Sequence, residues 1–208
     1  MVSGLLKLLG LGPKPVVPPS VTNDEEHDRA YEQGAQLIFP RMQVLGRGET
    51  VSNKDKAKLR QGIAYMHAVI HYNPGNWGAY WIAGKAYQSM GDHVQANESF
   101  KSALDIGGEN ADIAREHAVS CLELGWADKA VASLSRAIKE FPNDSSLHAH
   151  LALAFVVEGK DKEACAAANK ALEVGADDTM ATSILQMIED VKNGTRPRPR
   201  NMEELDLI

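Results

Sequence analysis

A period of 34 residues constrains this chain more than any other feature. Three glycines, Gly91, Gly125 and Gly159, stand 34 apart, and so do Ala96, Ala130 and Ala164. Ala103, Ala137 and Ala171 form a third set in the same register. Three marker sets in one register define a repeating block over residues 77–178, which is three units of 34. A unit this short cannot bury an apolar face alone, so the units must stack on one another to make a continuous core.

Each unit reads as two helices. In the first, Tyr80, Ala83, Gly84 and Tyr87 recur at helical spacing before Gly91 ends the run. A glycine just past a helix end takes a left-handed conformation without steric cost. Asp92 then caps the next helix, which carries Ala96, Phe100, Ala103 and Leu104 on one stripe. The second unit repeats the plan with Ala114, Ala118, Cys121 and Leu122, then Gly125, then Ala130, Leu134, Ala137 and Ile138. It closes at Phe141, Pro142, Asn143 and Asp144, a helix stop followed by a new cap. The third has Leu151, Ala152 and Phe155, then Gly159, then Ala164, Ala168, Ala171 and Leu172. Small residues at fixed places let paired helices approach, and large ones fill the gaps between pairs.

Outside the block the pattern weakens. Gly62, Met66, Val69 and Pro74 sit in register with a second helix, predicted over residues 53–72 with Ser52 or Asn53 as cap. Its partner is predicted over residues 24–45, with Pro40 kinking it or ending it early. Ile184, Leu185 and Ile188 extend the helical pattern to a capping helix over residues 179–192. The resulting division is a flexible apolar and proline-rich segment (1–21), N-terminal helices with a degenerate repeat (22–76), repeats at 77–110, 111–144 and 145–178, the capping helix, and a disordered tail (193–208).

These features resemble the tetratricopeptide repeat family. Its pattern is matched in order by Tyr80, Ala83-Gly84, Tyr87, Ala96, Phe100 and Ala103. The second unit offers Ala118, Cys121, Ala130, Leu134, Ala137 and Pro142, and the third Leu151-Ala152, Phe155, Ala164, Ala168 and Ala171. Pro142 is the one closing proline in the three units, and Gly108 and Ala176 replace it in the others. The resemblance implies an all-α fold, a right-handed solenoid of helix-turn-helix repeats. It also implies that the first helix of each unit lines a concave groove. Register then places Gly78, Trp81, Lys85 and Gln88, Asp112, Arg115, Val119 and Leu122, and Ser146, Ala149, Leu153 and Val156 on that face. The implied peptide-binding groove is apolar in its middle and C-terminal parts, with Lys85 and Arg115 nearby. The alternative is that these apolar side chains simply pack between helices. Some family members clamp a terminal carboxylate with lysines, asparagines and an arginine, but Gly78, Val119, Ala149 and Leu153 do not fit such a clamp.

Composition and chemistry narrow the function classes. Lys and Arg total 22 against 28 Asp and Glu, a net charge of −6, which argues against a nucleic-acid partner. Two cysteines, Cys121 and Cys165, give no disulfide framework and fit a reducing, cytoplasmic compartment. His67 and His71 stand four apart on a helix but lack further ligands at metal-binding spacing. His148 and His150 point apart, and neither cysteine has an evident partner for nucleophilic catalysis. No cofactor and no enzymatic activity are expected. Lys54, Lys56, Lys58 and Arg60 read as a solvated helix face or as a surface for an acidic partner.

The ends carry two further hypotheses. Leu5, Leu6, Leu8, Leu9 and Leu11 could touch a membrane through residues 1–12 or dock on the first helix, although so short a segment would bind a membrane only marginally. Residues 202–208 hold Leu205, Leu207 and Ile208 among acidic residues and could dock in the groove. The preferred function is a non-catalytic adaptor or co-chaperone-like module that holds a short apolar or amphipathic protein segment. The alternative is a structural subunit of a permanent complex or homodimer that uses the same faces.

Overall fold

The computed structural model describes residues 16–42, 51–108 and 110–205. The leucines of residues 1–12 and the chain end at 206–208 lie outside the described residues. The described residues form α-helices with two short 3-10 turns and no strand. The helices are α1 (Asp24–Ile38), α2 (Asn53–Tyr72), α3 (Trp77–Ser89), α4 (His93–Gly107) and α5 (Ala111–Glu123). They continue with α6 (Ala127–Glu140), α7 (Ser145–Glu158), α8 (Asp161–Val174) and α9 (Thr179–Lys192). No described helix is long and apolar enough to cross a membrane.

Packing follows chain order. Each helix packs on the next, and α5 also touches α7, as α7 touches α9. Within the 34-residue units, residues 90–92, 124–126 and 159–160 are all that separate the two helices. Turns this short send the second helix back along the first. Gly91, Gly125 and Gly159 adopt φ values of 77°, 73° and 81° in these turns, the left-handed region that a side chain resists.

A fourth set of markers shares the register. Asn76, Asn110, Asp144 and Asp178 are 34 apart, and each side chain accepts the amide two or three residues inside its helix, at Ala79, Ile113, Leu147 and Ala181. Every first helix of the block, and α9 after it, therefore starts on a side-chain cap, each worth about 1 kcal/mol. Ser52 plays this part for α2, accepting from Asp55 N. Helix α1 is shorter than the predicted span. It ends at Ile38, and Phe39–Arg41 form a 3-10 turn around Pro40, whose ring and missing N–H cannot continue an α-helix.

The core has two apolar clusters. One joins Ile38, Leu59, Met66, Val69 and Ile82 of α1–α3, and the other runs from Ala103 to Ile188 through α4–α9. Trp81 packs against both and links them. The alanines of the register, Ala96, Ala103, Ala130, Ala137, Ala164 and Ala171, are all fully buried. Between α3 and α4, a Cβ built on Gly84 would stand 2.6 Å from Phe100 Cε1, so the Phe100 ring occupies the space that any larger residue would need.

The expected disordered tail is corrected over residues 193–205. Gly194 turns the chain after α9, and the strand of prolines and arginines folds back across the molecule to a 3-10 turn at Met202–Glu204. Composition indicates only that this segment cannot build a core of its own. It is held instead by groups far away in sequence, and Leu205 lies within the larger cluster at 1% exposure.

Substituting Ala130→Leu should overpack the α6 contacts and lower unfolding free energy by about 1–3 kcal/mol in urea denaturation. Unchanged stability would show that Ala130 does not lie at a close helix contact.

Candidate functional site

Helices α3, α5 and α7 position the residues that the repeat register places on one face. The structure brings them together in two chemically different halves. The half on α3 and the adjoining face of α5 is polar. Lys85 Nζ donates to Glu116 Oε1 at 2.7 Å and to Gln88 Oε1 at 2.9 Å, tying α3 to α5. Both ends of this ion pair are largely buried, with side-chain exposures of 8% and 16%. Close by in charge terms is Glu123, whose carboxyl is pushed above its ordinary value by burial, with Glu116 adding repulsion. Glu123 Oε2 lies 2.7 Å from His93 Nδ1.

This polar half is incompletely satisfied. Trp81 Nε1, Gln88 Nε2 and Glu116 Oε2 are buried without a hydrogen-bond partner among the described residues. An orphaned buried donor or acceptor costs about 1–3 kcal/mol. Two donors and one acceptor on adjoining helices form a pattern that a peptide backbone, with its alternating C=O and N–H, can satisfy.

The other half is apolar and already filled. Val119, Leu122, Leu153 and Val156 are at most 1% exposed and share a cluster with Leu205 of the folded-back tail. The expectation of an open apolar floor at these four positions is thus corrected. Direct contact of α5 with α7 buries them, and register alone gives the face but not the distance to the neighbouring helix. Arg115 is engaged as well. Its Nη1 donates to Asp144 Oδ2 at 2.8 Å and its Nη2 pairs with Asp112. Since Asp144 caps α7, Arg115 pins the start of that helix. Neither Lys85 nor Arg115 is a spare cation.

The tail is attached mainly by one guanidinium. Arg198 forms a two-pronged ion pair with Asp161, Nη1 to Oδ1 at 2.7 Å and Nη2 to Oδ2 at 2.9 Å. Nη1 also donates to Val156 O at 3.0 Å, in the last turn of α7. The Arg198 hydrogen bonds hold the Asp161 carboxyl below its usual value. A Cβ built on Gly159 would lie 4.0 Å from Arg198 Cδ, and one on Gly125 3.9 Å from Arg200 O. The tail therefore crosses the turn of the third unit and then that of the second. Arg196 Nη2 donates to Leu205 O and Glu204 O, closing the returning loop. Burying Leu205 contributes about 1.5–3 kcal/mol, and a partly exposed bidentate ion pair adds about 1 kcal/mol.

Three histidines and a cysteine are buried in the repeats. His117 Nε2 lies 3.6 Å from Cys121 Sγ, and Asn97 Nδ2 donates to the same sulfur at 3.0 Å. The four-residue spacing of His117 and Cys121 on one helix is the sequence signal for this contact. Burial pushes the thiol up to about 11 and His117 down to about 4, so both are neutral and no thiolate forms near pH 7. His148 Nε2 meets Pro142 O at 2.8 Å, and His150 Nδ1 meets Ser146 O at 2.7 Å. His67 and Tyr87 are also paired, 3.2 Å apart. Among the described residues, no three His, Cys, Asp or Glu side chains are grouped to hold a metal ion.

The buried imidazoles make stability pH-dependent. Desolvation lowers His117 and His150 below their ordinary 6.5, so both stay neutral in the fold. The unfolded chain protonates them near that ordinary value and binds more protons below it, so stability falls as pH drops from 6.5 toward 4. At pH 5, His117 alone should remove about 2 kcal/mol relative to neutral pH. Urea unfolding of His117→Gln should show a correspondingly flatter change between pH 7 and pH 5. An unaltered pH dependence would contradict the assignment.

Comparisons with known proteins bear on this geometry. Residues 87–154 match the tetratricopeptide repeat family model. No curated protein matches the chain in sequence. The MamA protein is similar in structure, with a TM-score of 0.66 at 17% identity, over 82% of this chain and 85% of that one. MamA from Desulfovibrio magneticus RS-1 gives 0.65 at 14% identity, over 84% and 88%. YrrB, a tetratricopeptide repeat protein with an unusual peptide-binding site, gives 0.58 at 18% identity, over 86% and 90%. These likenesses concern the fold, an α-helical solenoid. The repeat register, the family match and the shared solenoid agree: residues 87–154 match the tetratricopeptide repeat, and the chain has the fold of an α-helical solenoid.

Proposed function

We propose that this protein is a non-catalytic adaptor that binds an extended segment of another protein along the concave face of its first helices. Its repeats make it a protein–protein interaction module at the coarser level. The observation that carries the finer reading is the set of orphaned polar atoms at Trp81, Gln88 and Glu116. A fold gains nothing from leaving these groups unpaired, whereas a docked backbone would hydrogen-bond with them. YrrB, which shares the fold, has a peptide-binding site, and this supports the class of ligand. Lys85 acts by orienting Glu116 and Gln88 rather than by meeting a carboxylate of the ligand. Trp81 supplies apolar contact area beside the polar groups. Val119, Leu122, Leu153 and Val156 form the apolar bed beneath, and Arg115 keeps α7 in place.

A peptide library displayed on phage and panned on the full chain tests this reading. Enriched peptides should bind at least tenfold more weakly to Gln88→Arg, which places a bulky cation among the orphaned groups on a half-buried position. Circular dichroism should show the variant folded. Equal binding to wild type and variant would contradict the site.

A further inference from the structure

Residues 196–205 cross the turns that follow α5 and α7, two of the first helices to which the proposed function assigns a partner. We propose that this strap is a built-in competitor, displaced by a partner segment that presents a guanidinium to Asp161 and, several residues on, an aliphatic side chain to the Leu205 position. The inference rests on the peptide-binding reading only for the identity of the incoming segment.

Four observations carry it. The strap is bound as a ligand would be: a bidentate Arg198–Asp161 pair, a guanidinium on the Val156 carbonyl and apolar contacts from buried Leu205 and from Met202. Among the described residues, no backbone–backbone hydrogen bond joins residues 197–204 to any helix. Its other side-chain hydrogen bonds are internal, with Arg200 paired to Glu204, Asn201 capping the 3-10 turn and Arg196 closing the loop, while Met202 packs on the larger apolar cluster and the turn touches α5. Finally, the Arg198 and Asp161 side chains remain 33% and 25% exposed, within reach of water, salt and a competing guanidinium.

Chemistry specifies the partner. Asp161 accepts through both carboxylate oxygens, a geometry that matches an arginine fork and not a lysine ammonium. Pro197 and Pro199 flank Arg198 and favour an extended backbone, which lowers the entropy lost on docking. Arg198 and Leu205 are seven residues apart. An arginine- and proline-containing extended segment with an aliphatic residue at similar distance would reproduce the same contacts. A strap tethered to its own site acts at high effective concentration, so it weakens every such ligand until it opens.

A fluorescein-labelled peptide of residues 193–208, added to the full-length chain, tests the exchange by anisotropy. Full-length Arg198→Glu/Leu205→Ser, with its strap released, should bind the peptide at least tenfold more tightly than wild type does. The milder Leu205→Ala should fall between them, which gives a readout should the double variant not fold. Adding Asp161→Arg to either variant should abolish binding, and rising salt should weaken it. Equal binding by wild type and released variants, or no binding by any, would overturn the strap proposal. Either result leaves the separate Gln88 test standing, because that position lies on α3, outside the strap's contacts. Loss of the Gln88 effect with strap exchange intact would instead overturn the peptide-binding reading.

Discussion

How closely two helices can approach is set by the side chains at their crossing, and here those side chains are alanine and glycine at fixed intervals. Ala96, Ala130 and Ala164 repeat on the second helices, and all are fully buried. Gly84, Ala118 and Ala152, also 34 apart, do the same on the first helices. Where a small residue leaves room, a large neighbour enters it, as the Phe100 ring does beside Gly84. Dense packing of this kind tolerates neither voids nor extra methyl groups. Because each pair packs on the next in the same way, one local rule propagates along the chain.

The electrostatics of the first helices follow from the same stacking. Bringing α3 against α5 places Lys85 beside Glu116 with little water, and the pair must satisfy itself internally. It does so only in part, since one Glu116 oxygen stays unpaired. At the other end, Asp161, the acidic first residue of α8, and Val156 O in the last turn of α7 are both within reach of one guanidinium. Arg198 meets both needs at once, the carboxylate and the Val156 carbonyl. Buried atoms without a partner among the described residues remain at Trp81, Gln88 and Glu116, and also at Glu158 Oε2 at the end of α7. A module whose own tail can bind its surface is one whose affinity for others is set by that tail.

The fold was legible in the sequence to the level of individual helices because its determinants are local and periodic. Ser52 marked the start of α2, and Pro40 marked where α1 would fail. The caps at Asn76, Asn110, Asp144 and Asp178 were equally visible as a 34-residue series, although only Asp144 drew notice. The site was less legible because its properties are relational. Register put Val119, Leu122, Leu153 and Val156 on the correct helices, but their burial depends on how near α5 comes to α7 and on Leu205. The cations at Lys85 and Arg115 looked available until Glu116, Asp112 and Asp144 were seen to engage them. The tail was legible in part, since its composition pointed to disorder while Leu205 among acidic residues pointed to docking. A stretch of arginine and proline predicts disorder only when nothing elsewhere in the chain offers a carboxylate, a carbonyl and an apolar opening in the right places.

The strap of residues 196–205 lies docked across the turns of the second and third units. Amide hydrogen exchange of the full-length protein at neutral pH tests this docking directly. The amides of Arg200, Glu204 and Leu205 should exchange more slowly than in a free peptide of residues 193–208, since each is bonded within the docked strap, to Glu204, Asn201 and Met202 in turn. Exchange at the free-peptide rate would contradict the docked strap.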